Sequence, residues 1–293
     1  MYRLAGLYLF CLLAYSPLSA AGTVTVSDAI NVFVSIPPQK YLVERIGGNR
    51  VKISVMVKPG HSPATYEPTP KQMAELHDAH LYFRIGVPFE SVWIQRIRDL
   101  NPQLRIIECC DVLNTAGQAD QNHAGSGDNH AIDPHVWTSP KNAIVLAGII
   151  KSALSENDPG AGEYYAGNYN VLINDLDSLD AFIRSKLAGI KNPYFIVSHP
   201  AWGHYAAEYG LQQISIEQHG TEVRARELTR LVEFARKWDI HTVYVQKEFN
   251  TASARTLARE INGKIIELDP LAEDYINNLR YVTRAIAEGG RRE

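Results

Sequence analysis

From residue 31 onward, short apolar runs rich in β-forming residues alternate with stretches whose apolar positions recur every three or four residues. Runs at 31–36, 51–57, 81–86 and 104–110 predict one set of four strands, and runs at 194–198, 211–217, 242–246 and 264–268 a second. Helical spacing falls between them at 89–100, 224–238, 252–261 and 274–288. Thr69-Pro70-Lys71-Gln72 reads as a further helix start, with Thr as N-cap, Pro in the first turn and Gln closing a capping box. Strand–helix alternation that occurs twice predicts an α/β fold of two doubly wound parallel-sheet lobes.

The middle of the chain breaks this rhythm. Positions 141–155 read as one helix, and Asp158-Pro159 opens another that runs to about residue 188, with Tyr165, Tyr169, Leu172, Leu176, Leu179, Ile183 and Leu187 on one face. A helix of about 28 residues is roughly 42 Å long and joins two lobes as one rigid rod. No Gly/Ser linker is present, which disfavours a large opening and closing motion. Residues 115–130 (TAGQADQNHAGSGDNH) are poor in apolar side chains and are expected to form a mobile surface loop holding His123 and His130. The expected division is a signal peptide at 1–21, an N-terminal lobe at 22–140, a helical linker at 141–190 and a C-terminal lobe at 191–293.

The first residues change the picture by placing the protein. Arg3 is the only charge before Asp28, the apolar run 4–15 is shorter than the roughly 20 residues a membrane span needs, and Ser19-Ala20-Ala21 offers a cleavage site. That pattern predicts an exported protein starting near Gly22, in an extracytoplasmic or periplasmic compartment. Cleavage removes Cys11 and leaves the adjacent pair Cys109-Cys110, which reads as buried strand-end packing rather than a disulfide framework. With 45% hydrophobic residues the core can hold the fold without cross-links, and a net charge of −3 with no basic block gives nucleic-acid binding little support.

Candidate chemistry gathers at strand exits. His61 stands in Pro59-Gly60-His61-Ser62-Pro63 after the second strand, His135 in Asp133-Pro134-His135, His199 in Ser198-His199-Pro200 after the fifth strand, and Asp269 in Glu267-Leu268-Asp269-Pro270 after the eighth. A single histidine beside proline is more often a turn or hydrogen-bonding residue than a ligand. Doubly wound sheets, however, bind ligands beyond the carboxyl ends of their strands, and four such exits facing one inter-lobe cleft make three imidazoles and a carboxylate, a closed tetrahedral set. His77, His80, His219 and His241 read as surface or structural residues, and His204 as an outer-shell or surface one.

Four motifs, TYEPTPKQM at 65–73, DPHVWTSPKNA at 133–143, SHPAWGHYAAEYGL at 198–211 and ELDPL at 267–271, make the chain resemble the ZnuA/TroA-type metal-binding proteins of ABC importers, the cluster A-I solute-binding family, from about residue 24 to 287. The resemblance implies two α/β lobes on one long helix, a monomer, and delivery of metal to a membrane permease. By position it makes His135, His199 and Asp269 metal ligands. The family's usual Pro-His-x-Tyr-Glu-Pro reads here Pro63-Ala64-Thr65-Tyr66-Glu67-Pro68, so the first ligand falls to His61 as a substitute, with Glu67 as its rival.

Three imidazoles and one carboxylate favour Zn²⁺ over manganese, magnesium or calcium. The alternative within the family is a manganese- or iron-binding member, in which a carboxylate takes the place of His199. A zinc hydrolase needs an open coordination position and a general base, and a set of four protein donors leaves no such opening. An organic-ligand or siderophore carrier is a third class, against which the clustered donors argue. The expectation is therefore a zinc carrier and not an enzyme.

Overall fold

A computed structural model describes residues 29–110, 133–217, 223–249 and 251–291. The expected signal peptide, the loop at 115–130 and His219 lie outside the described residues. Two four-stranded sheets organise the rest. The first contains β1 (Ile30–Val34), β2 (Val51–Val55), β3 (Leu81–Arg84) and β4 (Arg105–Glu108); the second contains β5 (Tyr194–Val197), β6 (Gln212–Ser215), β7 (Thr242–Val245) and β8 (Lys264–Glu267). All pairings are parallel, in the orders β2-β1-β3-β4 and β6-β5-β7-β8, so the two sheets have one topology. Each order places the first-entered strand next to centre, with a switch of direction beside it, where a crevice opens beyond the strand ends. The central strands are the buried ones: all four residues of β7 are covered, whereas the edge strands β4, β6 and β8 leave residues exposed.

The helices are α1 (Pro37–Gly47), α2 (Pro70–Leu76), α3 (Pro88–Leu100), α4 (Pro140–Asn157), α5 (Gly162–Leu187), α6 (Gly203–Glu208), α7 (Ala225–Lys237), α8 (Ala252–Glu260) and α9 (Tyr275–Gly289). The start of α2 is as expected: Thr69 Oγ1 accepts from the Gln72 amide at 3.3 Å, and Gln72 Oε1 accepts from the Thr69 amide at 3.0 Å. Sequence spacing gave no sign of α1, because it opens on Pro37-Pro38 after an apolar N-cap, Ile36. Gln39 supplies what the cap lacks. Its Oε1 accepts from the amides of Ser35 and Ile36 at 3.0 and 3.3 Å, and its Nε2 donates to Phe83 O at 3.1 Å, fastening the helix to β3. No helix among the described residues is long and apolar enough to cross a membrane.

The long helix enters through a 3-10 turn, Pro159–Ala161, and then runs unbroken for the 26 residues of α5, about 39 Å at 1.5 Å per residue. Its apolar stripe Tyr165, Leu172, Leu176, Leu179, Ile183 and Leu187 is buried. The first half packs on α1 and α4, with Asn168 Nδ2 donating to Ile46 O at 2.9 Å and Arg45 paired with Asp175. The second half packs on α9, where Arg280 and Arg284 lie over the Phe182 ring. One rod thus carries both lobes; it stays helical through Gly167 and holds no proline. Small-angle X-ray scattering with and without zinc is expected to give the same radius of gyration within error. A compaction of the kind that hinge closure produces would contradict the rigid-rod reading.

Candidate metal centre

Two imidazoles meet beyond the strand ends. His135 lies ahead of the 3-10 turn Val136–Thr138 that leads into α4, and His199 follows β5. Their rings stand edge to face with centroids 5.3 Å apart. Each rests its Nδ1 on a carboxylate: His135 on Asp133 Oδ1 at 2.7 Å, and His199 on Glu217 Oε2 at 3.0 Å. A neutral imidazole held this way keeps its proton on Nδ1 and leaves the Nε2 lone pair free, which is how metal-ligating histidines are oriented.

Both carboxylates are themselves fixed. Asp133 Oδ1 also accepts from the His135 amide at 3.0 Å, and the Asp133 carbonyl accepts from His204 Nε2 at 3.0 Å. A Cβ on Gly203 would lie 2.5 Å from Asp133 Oδ2, so the approach of this carboxylate to α6 requires glycine there. Burial pushes the Asp133 carboxyl up, but the hydrogen bond and charge of His135 outweigh it and hold Asp133 below its ordinary range. Glu217 follows β6, its amide donating to Ser198 O at 2.9 Å in continuation of the β5–β6 ladder. Phe249 stacks on the His199 ring at 4.1 Å, 12° from parallel. Burial, and then the charge of His135, lower the His199 pKa against the pull of Glu217.

These rings line a cavity of about 210 Å³. Ala64, Val87 and Pro88 wall it from the first sheet's exits, and Gln246, Glu248, Phe249 and Leu271 from the second's. Beneath lies Trp137, 1% exposed, whose indole N–H donates to Pro270 O at 2.7 Å while its own carbonyl accepts from the Tyr275 hydroxyl at 2.7 Å. The β3 exit is held by fully buried Glu90, which accepts from the amides of Ile85 and Gly86 at 2.8 Å and pairs with Arg84 at 3.0 Å.

The structure brings two of the four expected ligands together, His135 and His199. Asp269 stands just before the lining residues Pro270 and Leu271; its Oδ1 accepts from the Leu271 amide at 2.7 Å, and burial raises its pKa. His61 is exposed, with Nδ1 3.3 Å from Pro59 O and its ring edge-on to Tyr66; Ala64, not His61, lines the cavity, and Glu67 is exposed. Among the described residues no group of three or more His, Cys, Asp or Glu side chains is assembled to enclose an ion. Sequence reasoning passed over Glu248, Gln246 and Phe249. The signal was the exit of the seventh strand, where a carboxylate and an aromatic follow the last apolar residue without a histidine to mark them. His204 stands behind Asp133, its Nε2 on the Asp133 carbonyl. Cys109 and Cys110 are buried, as strand-end packing requires.

A family model described as zinc-uptake complex component A, periplasmic (ZnuA) matches residues 32–289. A Chlamydia trachomatis serovar D protein named as a candidate metal-binding protein is 32% identical over 265 residues, covering 89% of this chain and 92% of its own. The zinc-binding lipoprotein AdcA of Streptococcus pneumoniae strain R6 is 29% identical over 251 residues, 83% of this chain but 50% of that longer protein. A crystal structure of a ZnuA deletion mutant with zinc bound superposes with a TM-score of 0.82 at 34% identity, covering 91% of this chain and all of the other.

Proposed function

The chain belongs to the ZnuA family of zinc-uptake proteins, and on that premise we propose that it is an extracytoplasmic carrier that takes up Zn²⁺ in its inter-lobe cleft and passes it to the membrane permease of an ABC-type importer. The lobes at 22–140 and 191–293 each contribute to the site across the linker at 141–190, and the carrier acts as a monomer. The observation that supports this reading is the pair His135 and His199, ring centroids 5.3 Å apart, each with Nδ1 on a carboxylate and with no hydrogen bond to Nε2 among the described residues. Two imidazoles presented in this way favour zinc over manganese or magnesium, which prefer all-oxygen surroundings. Asp269 joins them through its second oxygen. His61 is exposed and lies outside the cavity lining, so it would join the site only if its loop moved. Zinc is cargo here, and the chain carries it without transforming a substrate.

Elemental analysis of the purified protein is expected to give one zinc per chain, and chelator competition is expected to show an affinity that holds from about pH 8 to near neutrality and then falls. An ordinary histidine titrates near pH ~6.5, and a ligand imidazole must be neutral. Because the folded-state pKa of His199 is lowered, its share of the loss sets in below the ordinary histidine range. The same shift acts on the zinc-free fold: the contribution of His199 to stability is present above its unfolded pKa and is lost as pH falls through the folded one. An affinity unchanged down to pH 5 would exclude imidazole ligands.

A further inference from the structure

We infer that Glu248 is a further protein donor to the zinc ion, entering from the exit of β7 and taking the position assigned from sequence to His61; this rests on the reading of His135 and His199 as zinc ligands. Of the side chains lining the cavity, His135, His199 and Glu248 are those with an imidazole nitrogen or a carboxylate. The backbone of Glu248 is fixed at the site, because its neighbour Phe249 lies flat on the His199 ring at 4.1 Å. The other candidate, His61, is exposed and lines no part of the cavity.

Charge points the same way. Glu248 is half-buried and is acted on by the like charges of Asp269 and Glu267. The cation beside them, Lys247, is exposed and is engaged with Glu267 at 3.0 Å. Carboxylates gathered at a part-buried cavity repel one another until a cation joins them. With His135, His199, Asp269 and Glu248 as ligands, Zn²⁺ and two carboxylates sum to zero net charge, whereas three histidines and one aspartate leave +1. A neutral cluster carries the smaller desolvation penalty in a partly enclosed site. It also gives a tetrahedral set of two nitrogens and two oxygens, which zinc accepts.

A second, independent observation concerns Gln246. It is 4% exposed, lines the same cavity, and its amide Nε2 has no hydrogen-bond partner among the described residues. A buried unpaired N–H is costly. A carboxylate drawn onto the ion two residues further on would give it an acceptor, and ligating carboxylates are commonly steadied by such a donor.

The test compares Glu248→Gln, Glu248→Ala and His61→Ala by chelator competition and zinc K-edge X-ray absorption, with melting of the zinc-free proteins to confirm folding. Glu248→Ala is expected to weaken binding by at least about tenfold, beyond the lower end for loss of an outer-shell partner, and to remove one oxygen scatterer at about 2.0–2.2 Å; Glu248→Gln falls between it and wild type, and His61→Ala binds as wild type. Unchanged affinity in Glu248→Ala, weaker affinity with an unchanged first coordination shell, or a loss in His61→Ala with none in Glu248→Ala would each overturn the assignment. A wild-type protein that binds no zinc would instead refute the carrier reading, and His135→Ala measured alongside separates the two failures.

Discussion

Replacing His135 with alanine is expected to lower zinc affinity roughly a hundredfold to nearly a thousandfold. Zinc sites of four protein ligands bind with about 10–16 kcal/mol, so one ligand carries about 2.5–4 kcal/mol, and each 1.4 kcal/mol is about a factor of ten. His199→Ala should match it, since each ring has a carboxylate on Nδ1 and an aromatic neighbour, Trp137 tilted beside His135 and Phe249 stacked on His199. Asp133→Asn provides the scale. It leaves Nε2 in place and weakens only the partner that orients the ring, an effect of about 10–100-fold for such residues. Competition titrations on the three variants at pH 7.5 should therefore rank the histidines below Asp133→Asn. If His135→Ala held zinc within a factor of three of wild type, the paired imidazoles would not be the site.

Trp137→Ala is expected to destabilise the zinc-free protein by about 3–5 kcal/mol, the range for removing a buried tryptophan. The ring is 1% exposed and packed beneath the cavity. Its loss also strands Pro270 O, which has the indole N–H at 2.7 Å. At about 2–4 °C per kcal/mol for a chain of this size, the melting temperature should fall by roughly 10 °C. Trp137→Phe keeps most of the volume and removes the donor, so about 1–3 kcal/mol is expected from the unpaired carbonyl. Urea unfolding of the two variants separates packing from the hydrogen bond. A Trp137→Ala protein within 1 kcal/mol of wild type would mean that the buried ring and its bond to Pro270 O contribute little to the fold.

The fold was largely legible in the sequence, because its signals are local and periodic. The eight apolar runs are the eight strands, and the stripe from Tyr165 to Leu187 is the buried face of α5. The helix α1 was not legible, since Pro37-Pro38 and an apolar cap conceal a start that Gln39 completes through bonds to neighbours and to β3. The site was legible only in part. His135 and His199 announce themselves by residue type and place, but their partners Asp133 and Glu217 differ in sequence distance, 2 and 18 residues, and only folding shows that both serve Nδ1. His61 illustrates the opposite limit. Its position beside a turn suggested that the loop aims it inward, whereas the residue is exposed with its ring edge-on to Tyr66. Glu248 was overlooked because a glutamate after a strand is ordinary until the fold places that residue in the lining of the same cavity as two histidines.

The unbroken rod of α5 has a consequence for how a partner recognises cargo. A protein that snaps shut advertises its load by posture, and a receptor needs only to feel the outline. A rigid rod of this kind offers no such lever. Loaded and empty forms are then expected to share nearly the same silhouette. If Asp269 and Glu248 take the ion as proposed, what differs is confined to the lip of the cleft: which way a few exit loops lean, and whether the negative charge of these two residues lies bare or is cancelled by a divalent ion. A permease that distinguishes the two forms must therefore read local charge and loop placement, and an empty carrier competes for the dock to the extent that this reading is imperfect.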